Sequence, residues 1–239
     1  MTESFSDNVY IGRDLEAMSY AENYNKWIIE LFSPYIGDKV AEIGAGTGNL
    51  TRLLLANDLI SELTAFEPSS KMYNYLTQNI DSNKKVTLIN SIFSESSDMH
   101  LNMLDSIFYI NVLEHVKDDI AEVNLMHNAL NVDGYACVFV PALSWLYSDF
   151  DKSIGHFRRY HKDQLIQLFD SNGFEVVTVK HIDMLGILPW YINFVLMKRV
   201  LDQNTTKIYD RFIIPIIRII DKIAPSPIGK NLLIVAKKK

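Results

Sequence analysis

The sequence predicts an α/β protein with a doubly wound, mostly parallel sheet of seven strands and a helical insertion before the last strand. Short apolar runs alternate with helix-forming segments between residues 39 and 140. A glycine-rich loop follows the first apolar run, and an acidic residue follows the second. The repeated strand–helix order requires a parallel sheet with helices on both faces.

The predicted strands are short apolar runs bounded by turn-forming residues. Pro68 and Pro141 each lie just beyond one of them. A helix over 119–130 is followed by a turn signal at 131–134, and a helix over 161–169 ends before Gly173. The seven strands are expected at 39–43, 63–66, 86–89, 104–110, 135–140, 174–180 and 231–236.

The chain of 239 residues suits one domain with additions. An apolar stripe at helical spacing predicts an amphipathic helix before the first strand, formed by Tyr20, Tyr24, Trp27, Ile28 and Leu31. We expect four segments, namely an N-terminal helical cap over 1–36, a ligand-binding core over 37–181, a helical insertion or lid over 182–229, and the last core strand over 230–239.

Composition and charge exclude several classes of protein. The net charge of −6 and the pI of about 5.5 argue against a nucleic-acid partner. The single cysteine, Cys137, excludes an intrachain disulfide framework and fits a reducing compartment. Because the N-terminus is polar, we expect no signal peptide there, and no apolar run has the length of a membrane-spanning helix. A cytoplasmic protein is expected.

The glycine loop after the first strand is the most informative motif. Gly44, Gly46 and Gly48 permit a sharp turn and close ligand approach before a helix, an arrangement that binds nucleotides. The dinucleotide pattern G-x-G-x-x-G would need glycine where the chain has Asn49. Glu42, two residues before the loop, would repel a pyrophosphate but suits a cationic amino-acid group.

The stretch from Glu42 to Gly48 resembles the first motif, E-x-G-x-G-x-G, of class I S-adenosylmethionine-dependent methyltransferases. The resemblance implies a Rossmann-like fold with its last strand antiparallel beside the sixth. It also implies S-adenosylmethionine as cofactor and S-adenosylhomocysteine as product. Glu67 ends the second strand about 20 residues beyond the loop, where an acid accepts hydrogen bonds from a ribose diol.

The remaining cofactor contacts follow from this resemblance. Met72 is placed to pack on the adenine. Where the family usually carries an acid after the third strand, this chain has Ser91, so backbone groups and Ile92 are expected to recognise the adenine. Asn111 begins an N-x-L-E-H-V stretch common in these enzymes and is expected near the methionine part. The expected cofactor-binding residues are Glu42, Gly44, Ala45, Gly46, Gly48, Asn49, Glu67, Pro68, Met72, Ser91, Ile92, Asn111, Val112 and Leu113.

The leading helix often covers the cofactor in this family. Tyr10, Tyr20 and Tyr24 therefore either touch the cofactor or pack in the core.

The polar, aromatic segment 141–160 leaves the carboxyl end of the fifth strand, where active-site loops lie. It carries a P-x-x-x-x-L-Y…D…G-H-x-R-R-Y pattern. This pattern, together with Tyr24-Asn25-x-Trp27 near the start, resembles a bacterial methyltransferase subgroup often found with cell-surface polysaccharide and lipid-linked glycan genes. The similarity extends over nearly the whole chain, but it does not define the substrate.

Two histidines are candidate general bases, since imidazole is the side chain that most often takes up a proton at neutral pH. His156 is the first choice and His115 the reserve; the alternative for each is a structural role. No metal-ligand cluster is evident, which disfavours a metal-dependent mechanism.

Several residues of the same loop are candidate substrate ligands. Arginines can clamp a phosphate or carboxylate, and aromatic rings can stack on a sugar. The alternative for the arginines is an ion pair with Asp149 or Asp151 that holds the loop shut. The expected substrate-binding residues are Tyr147, His156, Arg158, Arg159 and Tyr160, with Trp145 as a further stacking candidate.

Two apolar runs, over 184–197 and 212–220, dominate the insertion. Residues 198–239 contain ten basic and three acidic residues, which indicates an anionic partner. The insertion is either a helical cap over the active site, a dimer contact, or a basic amphipathic surface that docks peripherally on the inner membrane leaflet. A monomer or a homodimer is expected.

The sequence therefore predicts an enzyme that transfers a methyl group from S-adenosylmethionine by in-line displacement. The expected acceptor is a hydroxyl of a sugar, glycan or lipid-linked precursor. The alternatives are a small-molecule methyltransferase of quinone or secondary metabolism, and a non-catalytic cofactor-binding partner protein.

Overall fold

All seven strands lie in one sheet with the order β3-β2-β1-β4-β5-β7-β6. The computed structural model describes residues 21–81, 85–199, 203–223 and 226–239. β7 runs antiparallel to both of its neighbours, and all other pairs are parallel. The strands are β1 Lys39–Ile43, β2 Glu62–Phe66, β3 Val86–Ile89, β4 Leu104–Ile110, β5 Leu130–Pro141, β6 Phe174–Ile182 and β7 Asn231–Lys238.

The central strands form because their residues are apolar on both faces of the sheet. Every residue of β4 except Asp105 is buried, and six consecutive residues of β7 are buried. Strands that are covered on both faces of the sheet have continuous apolar sequences, which is why the sequence locates them well. The predicted α/β fold class is confirmed.

The helices cover both faces of the sheet. The α-helices are α1 Glu22–Phe32, α2 Asn49–Leu55, α3 Ser70–Asn79, α4 Asp119–Ala129, α5 Asp149–Ser153, α6 Lys162–Asp170, α7 Ile187–Trp190, α8 Gln203–Ile208 and α9 Ile214–Ile223. Of the helical cap expected over 1–36, only residues 21–36 are described, and they contain α1; Tyr10 and Tyr20 lie outside the described residues. Short 3₁₀ segments follow α1 and β4 at Ser33–Tyr35 and Leu113–His115.

The turn expected at 131–134 is instead an irregularity within β5. Leu130 pairs with Leu104, and the next aligned pair is Ser106 with Tyr135. Asp133 adopts a positive φ of 68° inside this stretch. The turn-forming residues bulge out of the strand without ending it, because the strand resumes in the same sheet position.

The segment between β6 and β7 is helical. α7 continues into a π-helical stretch at Tyr191–Leu196, and a second π-helical stretch at Tyr209–Ile213 joins α8 to α9. Buried Asp210 ties this segment to the start of α1, since its carboxylate accepts hydrogen bonds from the backbone N–H groups of Asn23 and Tyr24 at 3.0 and 2.9 Å. Among the described helices, none is both long and apolar enough to cross a bilayer.

Candidate active site

The glycine loop connects β1 to α2 at the carboxyl edge of the sheet. The backbone N–H groups of Gly44 and Ala45 both donate to the Phe66 carbonyl, each at 2.9 Å. Gly44 has a φ of 74°, and a Cβ at this position would lie 2.5 Å from a methyl carbon of Val112. Gly46 has a φ of 58° and faces open space. The loop is therefore packed against the end of β4 on one side and open on the other.

Glu67 lies against the open side of the loop. Its Oε2 accepts a hydrogen bond from the Gly46 N–H at 2.7 Å, and its Oε1 accepts one from the Ser69 N–H at 2.8 Å. Burial raises the pKa of this carboxyl, and the two backbone hydrogen bonds oppose that shift. The acid predicted as the ribose ligand is thus in register with the loop, 21 residues away.

Glu42 lies deeper than the sequence suggested, beneath the loop and only 2% exposed. Its Oε2 accepts a hydrogen bond from the Thr51 hydroxyl at 2.7 Å, whereas its Oε1 has no partner among the described residues. Burial raises its pKa to about 8, with a smaller contribution from the charge of Glu67. A cation beside Oε1 would supply the partner that this oxygen lacks.

This raised pKa predicts that cofactor binding releases a proton from Glu42. Because the folded-state pKa lies above 4.5, the residue's contribution to stability is full below pH 4.5 and is lost as the pH rises through about 8. A cofactor ammonium group favours the carboxylate, so affinity should rise with pH over the same window. Calorimetry at about pH 6.5, in buffers of different ionisation enthalpy, should detect release of about one proton per S-adenosylmethionine bound.

The control is Glu42→Gln, which cannot release this proton. Equal proton release by the variant and the original protein would contradict the assignment.

Other residues expected to bind the cofactor differ in exposure and in backbone conformation. Asn111, at the end of β4, adopts a φ of 54° and donates its N–H to the Phe139 carbonyl at 2.8 Å. Met72 is buried, whereas Ile92 is exposed. Asn90 was not among the residues predicted from the sequence. Its side-chain amide donates to the carbonyls of Glu67 and Pro68 at 2.8 and 3.3 Å and so joins the loops after β2 and β3. Its position directly after β3 was the available signal.

Asp151 is the central acceptor of a hydrogen-bond network in the loop after β5. From the sequence it was expected only as a possible ion-pair partner. Its fully buried carboxylate accepts hydrogen bonds from the Ser148 N–H and hydroxyl at 2.9 and 2.8 Å. It also accepts one from Arg159 Nε at 3.0 Å, and His156 Nδ1 lies 2.9 Å from it. Burial alone would raise its pKa, but these interactions hold the pKa below its usual range. Ser148 and Asp151 form a reciprocal capping box, and S-x-x-D is a sequence signal for it.

Glu114 and His115 lie directly below this loop, in the 3₁₀ turn after β4. The His115 and His156 rings meet edge to face with centroids 4.6 Å apart, and His156 Nε2 lies 3.8 Å from Glu114 Oε1. Burial raises the pKa of Glu114 to about 7 and lowers that of His115 to about 3. The structure therefore brings both predicted bases together with a buried acid that the sequence analysis did not single out.

Two of the expected substrate-binding residues, Arg159 and Tyr160, have buried side chains. Arg159 is held by Asp151, donates to the Ala142 carbonyl at 3.1 Å and stacks on Trp190 at 4.6 Å. Tyr160 donates its hydroxyl to Asp119 at 3.0 Å. Both side chains lie in the interior, with exposed fractions of 5% for Arg159 and 4% for Tyr160. Arg159 thus forms the ion pair with Asp151 that was considered from the sequence as the alternative to substrate binding.

Other candidates of this loop remain at the surface. Arg158 is partly exposed, pairs with Asp119 and donates to the Lys117 carbonyl at 2.6 Å. Tyr147 is at the surface and donates its hydroxyl to the His156 carbonyl at 2.6 Å. Trp145 is half exposed. By contrast, Tyr24 is buried and accepts a hydrogen bond from Asn231 at 2.6 Å, so it packs in the core.

The comparisons with known proteins place the chain in a family. The model of the methyltransferase domain family matches residues 15–179, so the chain belongs to this family. Membership confirms the prediction that the chain is an enzyme and that S-adenosylmethionine is its cofactor. No curated protein matches the chain.

Solved structures share the fold at low sequence identity. An S-adenosylmethionine-dependent methyltransferase from Archaeoglobus fulgidus is 18% identical, with a TM-score of 0.63 over 91% of this chain and 94% of that one. A Haloferax volcanii protein solved with the methyltransferase activator Trm112 is 14% identical, with a TM-score of 0.63 over 96% and 97%. Phosphoethanolamine N-methyltransferase 2 of Haemonchus contortus, in complex with S-adenosylmethionine, is 14% identical, with a TM-score of 0.64 over 97% and 58%.

Proposed function

We propose that the chain transfers a methyl group from S-adenosylmethionine to a hydroxyl of a sugar, glycan or lipid-linked precursor. The observation that carries the proposal is the position of the histidine pair. Asn111, Val112 and Leu113 follow β4, Val112 packs against the glycine loop, and Glu114 and His115 come next in the chain. A proton-accepting cluster thus follows the cofactor-binding segment without a break.

The residues around the loop fit the cofactor. The unpartnered Oε1 of Glu42 suits an ammonium group, and the carboxylate of Glu67 suits a ribose diol. The open face at Gly46 leaves the backbone accessible. When bound, S-adenosylmethionine supplies a methyl group on a sulfonium centre. The protein's main task is to align the acceptor, which can contribute roughly 7–11 kcal/mol.

His156 is the proposed proton acceptor and His115 the reserve. The contact between Asp151 and Nδ1 of His156 fixes the imidazole and leaves Nε2 to take the proton of an acceptor hydroxyl. Trp145 and Tyr147, at the surface of the same loop, are suited to stack on a sugar ring. Arg158 is the proposed contact for a phosphate, for which it would have to exchange its pairing with Asp119.

A methyl-transfer assay with sugar, sugar-phosphate and polyprenyl-linked sugar acceptors tests the proposal. We expect His156→Gln to lower kcat by roughly 10²–10⁴-fold, the usual contribution of a general base, while S-adenosylmethionine still binds. His161→Gln is the matched control, because His161 belongs to the same region and its Nε2 lies 2.9 Å from the Ser144 hydroxyl in the exposed part of the loop. Full turnover by His156→Gln would rule out the proposed base.

We further propose that the helices of the insertion dock on an anionic lipid surface. α9 buries Ile214 and Ile217 and exposes the opposite side, where Ile223 is 77% exposed. Exposed apolar residues continue along the insertion at Leu188, Leu196, Ile208, Phe212, Ile216 and Ile219. An exposed apolar helix face flanked by Arg211 and Lys222 is the pattern of an interfacial helix.

The unpaired positive charge of residues 198–239 is smaller than the count of ten basic and three acidic residues suggested. Several of its cations pair with acids elsewhere in the chain, which neutralises them internally; these are Lys198, Arg218, Lys230, Lys237 and Lys239. Burial of the exposed apolar side chains in the lipid is therefore expected to contribute more to membrane binding than electrostatic attraction.

Flotation with vesicles that contain anionic phospholipid tests the docking face. We expect the protein to float with the vesicles, and we expect serine at Ile216, Ile219 and Ile223 to reduce the bound fraction several-fold, because each exposed side chain loses its buried area. The matched control places serine at Leu59 and Val132, which are exposed elsewhere. Equal flotation of both variants would contradict the assignment of this face.

A further inference from the structure

We propose that Glu114, His115 and His156 together bind a divalent transition-metal ion, for which Zn²⁺ is the best match. One ligand atom from each residue lies within 4.8 Å of the other two. Glu114 and His115 come from the turn after β4, and His156 comes from the loop after β5. No metal site was expected from the sequence, and the proposal departs from that expectation.

The carboxylate of Glu114 is the strongest observation for a cation. Its side chain is fully buried, and among the described residues neither oxygen has a hydrogen-bond partner of normal geometry. A buried carboxylate without partners is strongly unfavourable unless a charge or hydrogen bonds compensate it. The gap of 3.8 Å between its Oε1 and His156 Nε2 is too long for a hydrogen bond, and a bound ion would give both atoms a partner.

The surroundings orient the histidines as ligands. Asp151 binds Nδ1 of His156, so Nε2 points away from it towards Glu114. A carboxylate on the far nitrogen of a histidine ligand is the usual outer-shell arrangement in metal sites. His115 is fixed by a hydrogen bond with the backbone of Gly155. Asp151 is itself held by Arg159, so the support is rigid.

The donor set indicates which ion fits. Two imidazoles and one carboxylate suit Zn²⁺ and related transition metals, whereas Mg²⁺ and Ca²⁺ prefer oxygen ligands only. Three protein ligands leave one position of a tetrahedral ion open. The inference therefore predicts a site that can also take a water molecule or a hydroxyl from a substrate.

This inference goes beyond the proposed function, and only its catalytic consequence rests on that function. A bound ion takes the lone pair of His156 Nε2, which then no longer accepts the acceptor's proton. An acceptor hydroxyl on the ion would lose its proton to solvent more readily, as metal-bound water does. The ion and the free imidazole are two alternative ways to activate the same hydroxyl.

Metal binding is tested without cofactor or acceptor. Co²⁺ is titrated into chelator-treated full-length protein while the visible ligand-field absorption is followed, and Zn²⁺ is then added to displace it. We expect one saturable Co²⁺ per chain and full displacement by Zn²⁺. Glu114→Gln and His115→Gln should each weaken binding by about 100-fold or more, beyond the 10–100-fold effect of outer-shell changes.

The matched control is His181→Gln, since His181 lies on β6 outside the cluster. Circular dichroism checks that each variant is folded. Two ligand variants are used so that the site is still tested if one of them does not fold. Metal binding that is absent, or that is unchanged in both ligand variants, would overturn the inference. Calorimetry with S-adenosylmethionine reports separately on the cofactor site, so a failure of one proposal is distinct from a failure of the other.

Discussion

Replacing Asp151 by alanine is expected to lower the free energy of unfolding by about 3–5 kcal/mol, the usual effect of removing one partner from a buried ion pair. Asp151 is fully buried and is contacted by Ser148, His156 and Arg159. Its loss leaves the guanidinium of Arg159, whose side chain is 1% exposed, without its ion-pair partner. Denaturant unfolding followed by circular dichroism measures the change.

Asp149→Ala is the matched control for this prediction. Asp149 lies two residues away on the same short helix, and its ion pair with Lys198 is solvent-exposed. Exposed ion pairs contribute little to stability, so this variant should unfold almost like the original protein. Equal destabilisation by the two variants would mean that the buried network does not hold the loop.

Replacing Glu67 by alanine is expected to raise the Kd for S-adenosylmethionine by roughly 10²–10⁴-fold, because each charge-assisted hydrogen bond contributes roughly 1.5–3 kcal/mol. The carboxylate does two tasks. It accepts hydrogen bonds from the N–H groups of Gly46 and Ser69, and we propose that its remaining lone pairs accept hydrogen bonds from a ribose. Calorimetric titration with S-adenosylmethionine and S-adenosylhomocysteine measures the loss.

Two further variants separate the effect of the charge of Glu67 from that of its shape and provide a control. Glu67→Gln keeps the shape but removes the charge, and it should lose less affinity than the alanine variant. Glu62→Gln changes the first residue of the same strand, which is exposed and pairs with Lys39, and it should bind normally. Normal cofactor binding by Glu67→Ala would remove this residue from the cofactor site.

The sheet could be predicted from the sequence because its signals are local. β1, β3 and the helix that follows the glycine loop depend on apolar runs and turn residues that lie next to each other in the chain. The register of Glu67 with Gly46 also follows from the chain, since both residues lie at the carboxyl ends of adjacent parallel strands.

The active-site loop could not be predicted in the same detail. Arg158 and Arg159 are identical in type and adjacent, so no local pattern decides which of them faces inward. Burial of Arg159 depends on Trp190, which lies in the insertion, and on the carboxylate of Asp151. Likewise, Asp210 binds the first turn of α1 across 186 residues of sequence. Such contacts are properties of the folded chain and leave no periodic signal.

The place of β7 in the sheet determines the order in which the chain can complete its folding during synthesis. β7 lies between β5 and β6, although the ribosome makes it after both. Among the described strands β6 pairs with β7 alone, so it cannot join the sheet before β7 emerges. Until then the buried apolar residues of β5 present an unpaired edge, a site for association with another chain or a chaperone. The risk of aggregation is therefore concentrated in the last step of sheet closure.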